Sequence, residues 1–562
     1  MSEKVTFTDE QLAAIDFPRD NPAVVTAAAG SGKTTLLVER IIRLISDVNN
    51  PVNASSLAIM TFTVNATQSI REKLNKALQE RISELSEKNS PETAAERNYL
   101  SEQIINLRSA SISTINAFCL GIIRENFQLF DLPVNFTIAD DTKRISMQWS
   151  AEQLVKQDFY DENSESGFSA EERDTLFYMF SFEDDKQLFE NVAKTANTLS
   201  SYGNIENWLD KAAEVHSSID ALEQKYMGVY LEFIDKQFAK LKSNIDIISD
   251  SVNQYQNKAD SETDAKKIAA CNEVLEAISY SRDFDQKRFS VLEADYANFK
   301  KCPSMTALEA LLDNAAKTPE NTSEKSKKDP QDKFKKRFSK ATERFQKVFE
   351  KLLKIGFSKS EEELSLPEQL VAARTFSKLV KKYISYYSEI KRAQGCIDFS
   401  DCELLLLDKL QNDEDFRNQL SQRFSCIIVD EFQDSNDVQA EIFRLLGNGN
   451  LFYVGDVKQS IYAFRGGNPM IMSQLCKGTD GFTPLPLNKN FRSRKQVIDV
   501  VNAAFCGLMT EEYGGVDYEN GNQLEYGADF EPLSPAEEAK YNAELYTLDV
   551  KGSADEKTAK SA

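Results

Sequence analysis

Residues 23–35 read AVVTAAAGSGKTT, in which an apolar run of strand length turns through a glycine-containing loop into the periodic helix TTLLVERIIRLI. A buried strand feeding a helix through so short a loop belongs to a parallel sheet with crossover helices. The loop fits the phosphate-binding pattern A-x-x-G-x-G-K-T, with Ala27 where a first glycine is usual. Gly30 and Gly32, on either side of Ser31, free the backbone to wrap its N–H groups around phosphate oxygens. The helix start adds the positive end of its dipole. Lys33 reaches the β- and γ-phosphates, the Thr34 hydroxyl ligates Mg²⁺, and Thr35 completes the loop. ATP with Mg²⁺ is the expected ligand.

The strand–helix rhythm recurs at LAIMT (57–61), SIST (111–114), SCIIVD (425–430) and LFYVG (451–455). TPLPL (483–487) reads as another strand, followed by a helix from Ser493 to about Met509. Residues 128–394 lack the rhythm and read as helices with polar loops. The expected class is α/β, a parallel-sheet domain over 1–127 and 395–475 interrupted by a helical insertion over 128–394. A second α/β domain is expected to start over 476–515, with an acidic segment and tail over 516–562. A length of 562 residues suggests three or four domains in all.

CIIVDEFQDS (426–435) supplies the acids that a phosphate loop requires at the end of a buried strand. Asp430 can hold the water shell of Mg²⁺, and Glu431 can orient or deprotonate an attacking water. Gln433 and Asp434 have two readings, coupling hydrolysis to the next helix or capping that helix near Ser435 and Asp437. Residues 454–467, VGDVKQSIYAFRGG, crowd an amide, two aromatics and a cation beside a turn.

Eight cysteines without a CxxC pair and a single histidine, His216, point away from disulfide scaffolds, zinc sites and histidine catalysis. With no run of about 18 apolar residues and a polar N-terminus, no membrane partner is expected, and a cytoplasmic location is. The net charge of −22 taken alone argues against nucleic acid. Charge is unevenly spread, however: residues 325–354 carry twelve Lys/Arg against four Asp/Glu, whereas 511–539 hold nine acids and no base. In KFKKRFSKATERFQKVF, Phe334, Phe338, Phe345 and Phe349 share one helical face. That helix packs on the insertion, or its Lys335, Lys336 and Lys340 meet duplex DNA.

Taken in order, these elements resemble the superfamily 1 helicases of the UvrD type. FTDEQ with Gln11 resembles the adenine-reading Q motif, AxxGxGKT motif I, TFT (61–63) motif Ia and ISTINAFC (112–119) motif Ib. VDEFQDS resembles motif II, GDVKQSIYAFRGG motif III and LNKNFRSRKQVIDVVN (487–502) motif IV. ISTI-x-x-FC, DFSD (398–401), VGDVKQSIY, NFRSR and EEYGGVDY favour the AddA (RexA) type of helicase–nuclease.

The resemblance implies RecA-like domains with a P-loop NTPase site between them, and a 3′→5′ ATP-dependent DNA helicase motor of double-strand-break repair. Its partners would be single-stranded DNA, duplex ends and an AddB/RexB-like subunit in a heterodimer. It implies that Glu431, Gln459 and Arg492 serve hydrolysis, Gln459 by sensing the γ-phosphate and Arg492 by meeting it from the second domain. Gln11 and Phe491 would hold adenine, and Phe62, Thr63, Tyr462, Phe464 and Arg465 would contact DNA. Two departures fall on the expected DNA side: Asn116 where motif Ib has histidine, and Val64-Asn65-Ala66-Thr67 after motif Ia. Motifs V and VI and the family's nuclease pattern are not found, so the chain is expected to be the N-terminal half of an AddA-like protein. A stand-alone UvrD-type repair helicase and a nucleotide-binding module without motor activity stay open as alternatives.

Overall fold

The structure, a computed structural model, describes residues 6–47, 50–88, 91–161, 167–180, 184–317, 333–355, 359–510, 515–519, 521–531 and 534. Two compact units emerge, one formed by 1–152, 193–205 and 384–562, the other by 153–192 and 206–383.

The first unit is built on a six-stranded sheet. Its strands are β1 (Ala23–Ala27), β2 (Leu57–Thr61), β3 (Ser111–Thr114), β4 (Cys426–Val429), β5 (Leu451–Gly455) and β6 (Thr483–Leu487). They run in the order β3-β2-β4-β5-β1-β6, and every pairing is parallel. Val25 stands opposite Val454 on one side and Leu485 on the other, and Ile59 opposite Ile428. Alternate side chains serve opposite faces, as the two-residue period of a strand requires. Val24, Met60, Val429 and Tyr453 pack with Phe118, Leu406 and Phe443, while Val25, Ile59, Ile428 and Val454 pack with Leu37, Ile41 and Leu74. A parallel sheet covered on both faces sends all its strand C-termini to one edge, and loops from that edge build sites. The expected α/β class is therefore observed.

TPLPL does not open a second sheet. It lies against β1 as β6, with the Thr483 N–H donating to Pro22 O and the Ala28 N–H donating to Leu487 O. β1 is fully interior, so its backbone groups need partners on both sides, and β6 satisfies the second side. The boundary expected at 476 thus gives way to a sheet that runs on through 487. The helical insertion is also narrower than 128–394, because 193–205 and 384–394 pack with the sheet unit.

The second unit is helical. Its core joins the long helices Ile219–Ser261 and Ala265–Lys301 to Met305–Lys317 and Lys333–Leu353. Phe238 and Tyr296 stack with ring centroids 3.9 Å apart. Phe345 and Phe349 are buried there, as their common helical face predicts, while the side chains of Phe334, Lys335, Lys336, Phe338 and Lys340 lie outside the described residues. Arg288, 2% exposed, lies over the Phe349 ring at 3.9 Å, and its Nη1 is 3.8 Å from Oδ1 of buried Asp285.

Candidate nucleotide site and nucleic-acid face

Ala27 ends β1, and the helix Lys33–Ser46 begins after a short loop whose Gly30 and Gly32 adopt φ of +73° and +82°. Left-handed backbone at both positions is what glycine permits and other residues resist. At Gly30 a Cβ would also lie 2.8 Å from Asn490 Nδ2 and 2.9 Å from Arg492 Cβ. The loop is held from two sides. Gln11 Nε2 donates to Ser31 O at 2.9 Å, Asn490 Nδ2 donates to Ala29 O at 2.7 Å, and the Phe491 N–H donates to Gly30 O at 2.9 Å. Inside the loop the Ser31 hydroxyl is buried without a hydrogen-bond partner. An orphaned hydroxyl among turned-in N–H groups, at a helix start, fits a bound phosphate.

Asp430 follows β4 directly, and its N–H donates to Met60 O at 2.9 Å. Burial, reinforced by the neighbouring Glu431 charge and opposed by Lys33, pushes its carboxyl up to about 6. A cation beside it would offset that cost, and Thr34 in the first turn of the helix supplies a second oxygen, so the pair fits Mg²⁺. Glu431 sits at φ +55°, a left-handed strain of about 1–3 kcal/mol of the kind that collects at working sites. Its carboxylate receives Lys33 Nζ at 2.9 and 3.1 Å and Gln433 Nε2 at 2.9 Å.

Gln433 also accepts the Asp456 N–H at 2.9 Å. Asp456 in turn holds Lys458 Nζ at 2.9 Å and Gln459 Nε2 at 2.7 Å. Gln459 therefore lies against Asp456, and Gln433 is the amide that touches Glu431. The cap of the helix Asp437–Leu446 is Asn436, paired with Gln439 in a reciprocal box. That leaves coupling, not capping, as the reading open to Gln433.

Beyond Gln459, Phe62 and Tyr462 approach to 4.5 Å between ring centroids, and Phe464 lies 5.8 Å from Tyr462. The Arg465 guanidinium stands 5.5 and 5.7 Å from these last two rings. Phe464 is 78% exposed, which no packing role explains. Thr63 Oγ1 accepts the Ala66 N–H at 3.2 Å and starts the next helix. A cavity of about 270 Å³ beside the rings is lined by Phe62, Asn116, Glu403 and Arg465 among others, and Asn116 Oδ1 is buried there without a partner. The motif Ib departure thus falls on the aromatic face.

A second cavity, of about 160 Å³, brings Gln11 and Phe491 together with Thr8, Ser31 and Lys489 beside the loop. Arg492 is exposed next to Gly30, its N–H donating to Asn490 Oδ1 at 2.9 Å. Sequence reasoning passed over Asn490, although it is buried and clamps the phosphate loop to the Arg492 turn. Its signal was the polar residue directly before Phe491 in LNKNFRSR.

Among known proteins, the chain matches the family model of the UvrD/REP helicase N-terminal domain over residues 7–277 and 269–479. It is 31% identical over 549 residues to the A-subunit of an ATP-dependent helicase/nuclease from Clostridium novyi, covering 94% of this chain and 41% of that protein. Proteins of the same name from Clostridium acetobutylicum and Desulforamulus reducens are each 29% identical, over 94% and 98% of this chain and 42% and 43% of theirs. The chain thus spans about two fifths of the length of these relatives. By that match, over most of its length, the chain belongs to the family of UvrD/REP helicase N-terminal domains.

Proposed function

We propose that the sheet unit is the ATP-hydrolysing half of a motor that moves along single-stranded DNA, of the AddA helicase–nuclease type. The reading rests on one observation: a continuous line of contacts runs from Lys33 through Glu431, Gln433 and Asp456 to Gln459, three residues before Tyr462. In the proposed step a water oxygen attacks the γ-phosphorus, and the bond to the β–γ bridging oxygen breaks toward ADP. Glu431 takes the water proton. Lys33 and the loop N–H groups hold the phosphates, and Thr34 with Asp430 would hold Mg²⁺, which neutralises charge on the phosphate oxygens. Gln11 and Phe491 hold the base, and Arg492 meets the γ-phosphate.

On the other side, Phe62, Tyr462 and Phe464 offer stacking faces that tolerate any base, with Arg465 for phosphate. Translocation 3′→5′, a role in double-strand-break repair, and pairing with an AddB/RexB-like partner on duplex ends belong to the same proposal, supported by the names of the relatives. Steady-state ATP hydrolysis with and without oligo(dT) tests it. Stimulation by the oligonucleotide is expected; a rate that DNA leaves unmoved would reduce the chain to a nucleotide-binding module.

A further inference from the structure

The Gln433 side chain is 2% exposed and sits between three groups that dictate its orientation. Its Nε2 faces two carboxylates, Glu431 Oε2 at 2.9 Å and Asp434 Oδ2 at 3.3 Å, and can only donate to them. Its Oε1 faces the Asp456 N–H at 2.9 Å and can only accept. The amide is thus locked end to end between the acid of motif II and the backbone of motif III.

The seat is closely fitted. A Cβ on Gly455 would fall 2.3 Å from Gln433 Oε1 and 2.9 Å from Met472 Sδ, so this strand end must be glycine for the amide to lie where it does. Two weaker contacts run in parallel: Ser460 Oγ to Gln433 O at 3.3 Å and the Ile461 N–H to Asp434 Oδ1 at 3.4 Å.

Lys33 directs its ammonium to both Glu431 oxygens, at 2.9 and 3.1 Å. A triphosphate in the loop presents more negative charge to the same ammonium, which then turns to the phosphates. Of the two side-chain donors found on Glu431 among the described residues, only Gln433 is left. We infer that Gln433 is a positioning residue that aims the Glu431 carboxylate once nucleotide has drawn Lys33 away, and hands the resulting shift to the Asp456–Tyr462 turn. It touches neither nucleotide nor DNA. The inference rests on the nucleotide-binding reading above and adds the residue through which the two faces communicate.

Hydrogen–deuterium exchange of the full chain, with and without Mg²⁺ and a non-hydrolysable ATP analogue, tests it peptide by peptide. In the unaltered chain, residues 27–36 and 455–462 should both change their exchange when the analogue is added. Gln433→Glu keeps the shape and the acceptor for Asp456 but cannot donate to Glu431. Gln433→Met fills a similar volume with no polar atom and guards against a fold lost to a third carboxylate. In either variant, 27–36 should still respond while the response at 455–462 is lost, a split that general destabilisation would not produce. A variant in which 455–462 responds as in the unaltered chain overturns the inference. So does an unaltered chain that responds at 27–36 alone. No response at 27–36 in the unaltered chain overturns the nucleotide reading and the inference with it.

Discussion

Both units bury charge, but they do so in different ways. In the sheet unit Asp430, Gln433 and Asp456 sit at or just beyond the C-terminal ends of neighbouring parallel strands, and each contact leads to the next. In the helical unit Asp285 and Arg288 are buried one turn apart on a single helix. There the pair faces Phe345 and Phe349, and Asp285 Oδ2 has no hydrogen-bond partner. The first arrangement is a relay that ends at a candidate ligand on either side. The second is a local balance in which cation–aromatic contact and ion pairing offset desolvation. Buried polarity therefore marks a site only when its contacts lead somewhere.

The sharpest way to break this contrast is Arg288→Ala. Removing one partner of a buried pair leaves the other charge uncompensated, at a cost of about 3–5 kcal/mol. Urea unfolding should show that loss, while affinity for a fluorescent ATP analogue stays as it was; a parallel fall in affinity would mean that the helical pair also serves the site. Lys33→Ala should do the reverse. Charge-assisted hydrogen bonds are worth about 1.5–3 kcal/mol, so analogue affinity should drop by roughly one to two orders of magnitude with the urea midpoint little changed. Full affinity in that variant would remove the phosphate-loop assignment.

Phe464→Ala probes the exposed end of the relay. Losing one stacking face should weaken oligo(dT) binding by about 1–3 kcal/mol in fluorescence anisotropy and leave stability untouched. The smallest effect concerns pH. Burial pushes the Asp285 carboxyl up to about 7, with Arg288 acting against it. Between the ordinary carboxyl range and about 7 the folded state binds this proton and the unfolded state does not. Its contribution is fully present below the unfolded value and is lost as pH rises through about 7. Relative to Asp285→Asn, the unaltered chain should lose urea stability on going from about pH 5 to pH 8. Parallel curves would show that the carboxyl is already ionised.

The sheet unit was legible because its motifs join a residue type to a place, such as a lysine after a glycine turn or an acid after a buried strand. Gln433 was only half legible. An amide beside acids can cap or couple, and only Asn436 at the helix start resolves which. The membership of β6 was hidden, since five residues of strand look alike whichever sheet they join. Asn490 was missed because nothing local says that a turn in one segment clamps a loop more than 450 residues away. In the helical unit, apolar spacing along Lys333–Leu353 foretold that Phe345 and Phe349 would be buried, but an arginine among acids reads as solvated. The burial of Arg288 comes from its neighbours in space, not in sequence.

β6 carries one further consequence. Thr483 and Leu487 direct their backbone groups toward β1, so Pro484 and Pro486 direct theirs to the open side, where neither has an N–H to offer. A strand from this chain or another finds no donors at those two positions and cannot extend the row there. The motor sheet is thus closed to growth on this flank by composition alone. Anything that docks beside the phosphate loop must come as a separately folded body, free to move against it.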